Sequence, residues 1–226
     1  MQYEIFGSTL PAVTVTLQQG ESVYTQSGGM TWMTDGISME TNMKGGLGKA
    51  FGRMLTGESL FMATYTAQMP GAQITFASSF PGSIIPLELN GSREFVCQKD
   101  AFLCATPGVR LSASLQKAKA GFFGGEGFIM QRIGGTGLCF LEIDGTVVAK
   151  DLAPGEVLKV DTGNLAAYEA SVSYSAETVK GFKNMLFGGE GLFLSVLRGP
   201  GRVYLQTVSM GEFASKIIPF IPTSSN

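Results

Sequence analysis

Alternation of apolar and polar positions dominates this chain. In PAVTVTLQ, Val13, Val15 and Leu17 fall on one face of an extended segment while Thr14 and Thr16 fall on the other, the period-2 pattern of a half-buried strand. REFVCQ, FIMQRI, LCFLEI, VLKV and RVYLQTVS are further β-branched or aromatic runs of strand length. Turn-forming pairs punctuate them at Gln19-Gly20, Asp35-Gly36, Asn90-Gly91, Asp144-Gly145, Pro154-Gly155 and Pro200-Gly201. Helical periodicity is absent over most of the chain. An all-β protein is therefore predicted, with short helical turns at most around 44–54, 115–120 and 178–185.

The pattern also repeats. FGGEGFIMQRIGGTGLCFLEIDG (123–145) aligns with FGGEGLFLSVLRGPGRVYLQTVS (187–209), which sets Glu126 and Glu190 64 residues apart. A weaker copy, TGESLFMATYTAQMPGAQITFAS (56–78), carries Glu58, 68 residues before Glu126. In each copy a glycine, Gly71, Gly137 or Gly201, opens a second strand 11 to 13 residues after the Glu, and a lysine, Lys49, Lys117 or Lys180, precedes it by nine or ten. Turns at Gln19-Gly20-Glu21, Asn90-Gly91-Ser92 and Pro154-Gly155-Glu156 keep the same step. The expectation is one compact domain of three repeats, 1–82, 83–146 and 147–226 with a C-terminal tail. Units this small bury a core poorly alone, so they are expected to pack around a pseudo-threefold axis.

Charge changes the picture at the surface. Lys and Arg number 16, Asp and Glu 18, for a formal charge of -2, and only 15% of residues are charged against 44% hydrophobic. That balance lacks the basic excess on which nucleic-acid affinity rests. It leaves uncharged surface, which favours a homo-oligomer or a protein partner. The segment 59–87 has no charge and is long enough to span a bilayer, but Pro70, Pro81 and Pro86 would break a spanning helix. No basic residue precedes Lys44, so the N-terminus lacks a secretory or transit signature. Cys97, Cys104 and Cys139 are odd in number without C-x-x-C spacing, which argues against zinc or a disulfide framework and for a reducing, cytoplasmic setting.

The chain has no histidine, which removes Ser-His-Asp and Cys-His catalysis and histidine metal sites. FGGEG is not a phosphate cradle: it lacks the G-x-x-x-x-G-K-[ST] pattern, and its acid would repel a phosphate. Glu58, Glu126 and Glu190 are candidates for a cation site if they converge at the axis, but closing their own Gly-rich turns is the preferred reading. Gly57, Gly124, Gly125, Gly127, Gly188, Gly189 and Gly191, with Gly137 and Gly201, are read as structural residues that let the chain enter a strand. The cysteines are read as core packing rather than nucleophiles. Met30, Met33, Met39, Met43 and Met54 crowd around Trp32 as core or interface filling, with a flexible binding surface as the alternative. The tail FASKIIPFIPTSSN is read as packing across a sheet edge. Its alternative is a partner or peripheral membrane contact through Ile217, Ile218, Phe220 and Ile221.

FGGEG paired with GPGRVYLQT, preceded by KGFKNML and followed by IIPFIP, resembles the AIM24-type family, named for altered inheritance of mitochondria. The resemblance runs from Tyr3 to Pro222. It implies three units similar to the trp RNA-binding attenuation protein, each a small β-sandwich of double-stranded β-helix type, with internal pseudo-threefold symmetry. It implies no established activity. RNA binding does not carry across, because no Lys/Arg cluster matches and fold analogy alone is a weak warrant. The leading expectation is a non-enzymatic β-protein without cofactor that self-associates or scaffolds a complex. A small-ligand or metal-binding module at the repeat junctions is the alternative, and a carboxylate-dependent enzyme ranks last.

Overall fold

The computed structural model describes residues 1–26, 29–42, 62–114, 130–178 and 193–221. The chain groups into two compact units, Met1–Gln116 with Ile129–Ile143, and Lys117–Phe128 with Asp144–Asn226.

The first unit carries β1 (Gln2–Phe6), β2 (Ala12–Leu17), β3 (Ser22–Gln26), β4 (Met30–Met33), β5 (Ile37–Asn42), β6 (Met62–Ala67), β7 (Ala72–Ala77), β8 (Gly82–Asn90), β9 (Phe95–Gln98), β10 (Phe102–Ala105), β11 (Val109–Ser114) and β12 (Met130–Asp144). Four of these form an open sheet in the order β1-β2-β7-β4. A second run is ordered β9-β12-β10-β3-β6-β5, with β11 and β8 also on β12. The alternation in β2 acts as its sequence dictates. Val13, Val15 and Leu17 are fully buried, and β7 sets Phe76 and Ile74 beside Val13 and Val15. On the other face Thr14 and Thr75 join their hydroxyls at 2.8 Å. Val23, Tyr65, Leu103, Cys104 and Phe140 complete this core, each large apolar side chain contributing about 1.5–3 kcal/mol by leaving water.

The second unit carries β13 (Val147–Leu152), β14 (Val157–Asp161), β15 (Leu165–Glu169), β16 (Ser173–Thr178), β17 (Phe193–Arg198), β18 (Gly201–Gln206) and a helix, α1 (Met210–Ile217). Its strands run β13-β18-β15 and β14-β17-β16, all antiparallel. Leu165, Leu197 and Val203 are fully buried, and Tyr168 stacks on Tyr174 with ring centroids 5.9 Å apart.

The predicted fold class is corrected by this topology. The chain is mostly β-sheet, but it does not form three attenuation-protein-like, double-stranded β-helix-like sandwiches related by a pseudo-threefold axis. Among the described residues its sheets are open and of mixed order, and none is closed into a barrel or strongly curled. The physical reason lies in pairing across the sequence copies. β10 of the second copy pairs with β3 of the first, while within the second copy β12, fifteen residues long, serves β8, β9, β10 and β11 together. Backbone groups of one copy are thus satisfied by strands of another, which an isolated small sandwich does not require.

Two local expectations also change. FIMQRI and LCFLEI are not separate strands, because Met130–Asp144 runs straight through the glycines between them. Helix α1 was not expected, yet its signal is S-x-x-E: Ser209 caps the helix, its Oγ accepting from the Glu212 N–H at 3.2 Å. The helical turns expected at 44–54, 115–120 and 178–185 lie outside the described residues, except that Thr178 ends β16.

Candidate functional site

The repeated motif falls where the structure is silent. Glu58, Glu126 and Glu190, with Gly57, Gly124, Gly125, Gly127, Gly188, Gly189 and Gly191 and the three repeat lysines, lie outside the described residues. Among the described residues no three His, Cys, Asp or Glu side chains come together to hold a metal ion.

Gly137 and Gly201 are described, and both show why glycine is needed. Their φ angles are +137° and +142°, a region L-residues rarely adopt. A Cβ on Gly137 would strike Thr106 Oγ1, which accepts the Leu138 N–H at 3.1 Å. A Cβ on Gly201 would approach Ser171 Oγ to 2.5 Å. Both positions therefore require glycine for backbone reasons.

Several of the described acids are occupied with backbone. Two turns at repeated positions are built alike: Glu21 Oε2 accepts the Gln18 N–H at 2.9 Å, and Glu156 Oε2 accepts the Ala153 N–H at 2.8 Å. In each, the glutamate's own N–H returns to the same residue's carbonyl, at 2.9 Å and 3.0 Å. Glu142 Oε2 takes three donors, Ser78 Oγ, Ser79 N and Ser79 Oγ, within 3.1 Å. Glu169 accepts the Arg202 N–H at 2.9 Å. Exposed ion pairs tie Arg132 to Glu94, Lys159 to Glu177 and Arg202 to Asp151, and pairs so exposed contribute about 0–1 kcal/mol.

The cysteines are fully buried. Desolvation pushes the Cys97 thiol up to about 12 and raises Cys104 and Cys139 well above the ordinary thiol range. Nucleophilic thiols need the opposite shift.

What the described chain does present is uncharged apolar surface. In the first unit, Phe6 and Trp32 meet on the sheet face opposite the core, with ring centroids 6.4 Å apart and Trp32 52% exposed. Phe6 registers with Ala12, and Ala12 with Ala77, small side chains that let the rings meet across β2 and β7. Met33 and Met39 are exposed beside them in sequence, Met30 packs on the core, and Met43 and Met54 lie outside the described residues. In the second unit α1 is rooted by polar contacts. Gln206 Nε2 donates to the Gly163 carbonyl at 2.8 Å, Asn164 Nδ2 donates to the Gln206 carbonyl at 3.0 Å, and Ser209 is buried. Beyond that root, Met210, Ile217, Ile218, Phe220 and Ile221 are exposed, Phe220 at 85%. Sequence reasoning singled out the last four but not Met210 or Phe6. The capping box that starts α1 is the signal that places Met210 on the same helix as Ile217.

Comparison with known proteins places these features in a family context. A family model described as mitochondrial biogenesis AIM24 matches residues 3–208. An uncharacterised protein of Streptococcus pyogenes serotype M6 is 31% identical over 225 residues, covering 96% of this chain and 89% of that protein. A crystal structure of a Streptococcus pyogenes protein matches with a TM-score of 0.81 at 25% identity, over 97% of this chain and 99% of that one.

Proposed function

The chain belongs to the AIM24 family, and from that premise we propose that it works by self-association, as a scaffold in a protein complex. Its family is described by a role in biogenesis and not by a reaction, and the chain is non-enzymatic. The observation that carries the reading is the exposed apolar surface, Phe6 with Trp32 in one unit and the end of α1 in the other. A chain with 15% charged residues has little polar cover for such patches, and burial against protein is the favourable outcome. Three free, buried cysteines fit a reducing compartment, and the reading sets the protein in the cytoplasm. No helix among the described residues is long and apolar enough to cross a membrane.

Native mass spectrometry of the purified full chain tests the reading. A homo-oligomer carrying no other mass is expected. A monomer with a stoichiometric small ligand or metal would replace scaffolding by ligand binding.

A further inference from the structure

The end of α1 is an apolar surface built on a fixed root. Ser209 caps the helix, and the Gln206, Gly163 and Asn164 hydrogen bonds hold the chain just before it. Met210 and Ile217, seven residues apart, share one face of the helix. Ile218 and Phe220 follow in a 3₁₀ turn started by the helix's own end, and Ile221 continues the run. At about 150 Å² for a whole large side chain, the lower end of the aromatic range, the exposed fractions of these five residues amount to roughly 450 Å² of apolar surface.

Two comparisons of area give that number meaning. The largest apolar patch on an ordinary monomer is about 300–600 Å² and is often functional. One side of a standard protein interface covers about 800 Å², of which about 65% is apolar in homodimers, or roughly 500 Å². The helix end alone supplies most of the apolar core of such an interface.

Charge selects the occupant. The only charged side chains on α1 are Glu212 and Lys216, which cancel. An interfacial membrane helix relies on a polar face rich in Lys and Arg, and this one has a single lysine in a chain of net charge -2. An apolar patch of zero net charge meets itself without repulsion, which an isologous two-fold contact requires because the same patch stands on both sides. We propose that the end of α1, through Met210, Ile217, Ile218, Phe220 and Ile221, is the contact by which a second copy of this chain binds. The proposal rests on the reading that the protein self-associates and supplies the surface for it.

The test is sedimentation velocity of the full chain and of three variants over a wide concentration range. Ile217→Glu and Phe220→Glu change exposed side chains, so the fold should survive, and a thermal midpoint close to wild type checks that. Each puts a charge on both sides of the contact and should raise the dissociation constant at least tenfold. Leu10→Glu, an equally exposed apolar site in the other unit, should associate as wild type does. If wild type associates and the two helix variants match it, the surface is wrong while self-association stands. If wild type stays at 23.9 kDa at every concentration, both readings fall. Wild-type monomers that float with vesicles of phosphatidylcholine and phosphatidylglycerol, and lose this in Phe220→Glu, would assign the patch to a lipid surface and overturn the second copy.

Discussion

At the scale of single residues, side chains that resemble catalytic groups are used for structure. Cys97 is held protonated up to about 12 by burial, whereas an exposed thiol ionises near about 8.5. In the native protein all three thiols should resist a disulfide reagent at neutral pH and react only after unfolding. A thiol labelled at the native rate of a free cysteine would contradict the buried placement. The same shift couples to stability. Between about 8.5 and about 12 the unfolded chain has lost a proton that the folded chain keeps, so stability falls as pH rises through that window and is unaffected below it. Urea midpoints that stay flat from neutral pH to the upper end of that window would contradict the shift. The glycines separate by what surrounds them. Gly155→Ala adds a Cβ into open space at φ +79° and should cost about 1–2 kcal/mol. Gly137→Ala drives a Cβ onto the Thr106 hydroxyl and should cost more, about 2–3 kcal/mol. Urea denaturation of the two variants checks the order. The need for glycine at position 137 was legible in the repeat, because each copy places one there. What the acid of FGGEG does was not, since a turn residue and a ligand leave the same trace in one sequence.

At the scale of elements, period-2 alternation was a faithful guide wherever one face of a strand is buried. Val13, Val15 and Leu17 lie in the core as their spacing dictates, and 157–160 and 202–206 lie in strands. It failed where glycine interrupts a run without turning it. The Gly134–Gly137 stretch looks like a turn, but the strand continues through it, with Gly135 and Gly137 at φ +96° and +137° and with Val109 registering with Gly135 and Arg110 with Gly134. Tertiary pairing there overrides local propensity. Because β12 is paired along both edges, its core side chains should matter most. Ile133→Ala should cost about 2–5 kcal/mol, while Val148→Ala, on the exposed edge strand β13, should fall within about 0.5 kcal/mol of wild type. Equal costs would mean that β12 is not the central strand. Helix α1 was missed because eight residues are too few for a helical period to stand out, although Ser209 and Glu212 carried the capping signal. Ser209→Ala removes that cap and should cost about 1 kcal/mol. Amide exchange across Met210–Ile217 should speed up while the strands stay protected.

At the scale of the whole molecule, the predominance of β-sheet and the family were legible, and the architecture was not. The family resemblance implied three small β-sandwich units, but a sequence copy specifies strands and turns without specifying which strands pair. Here β10 reaches back to β3 and one long strand serves several partners, so open sheets of mixed order replace the expected sandwiches. Two of the three repeated turns nevertheless keep one chemistry, with Glu21 and Glu156 each clasping the backbone three residues earlier. Surface composition supports the proposed self-association: few charges and exposed aromatic and aliphatic patches. The central claim is that the protein acts by associating with itself. Sedimentation velocity of the full-length chain, from low to high micromolar concentration, tests it most directly. The account predicts a weight-average mass that rises with concentration well above the 23.9 kDa protomer. A single boundary at the protomer mass throughout that range would contradict it.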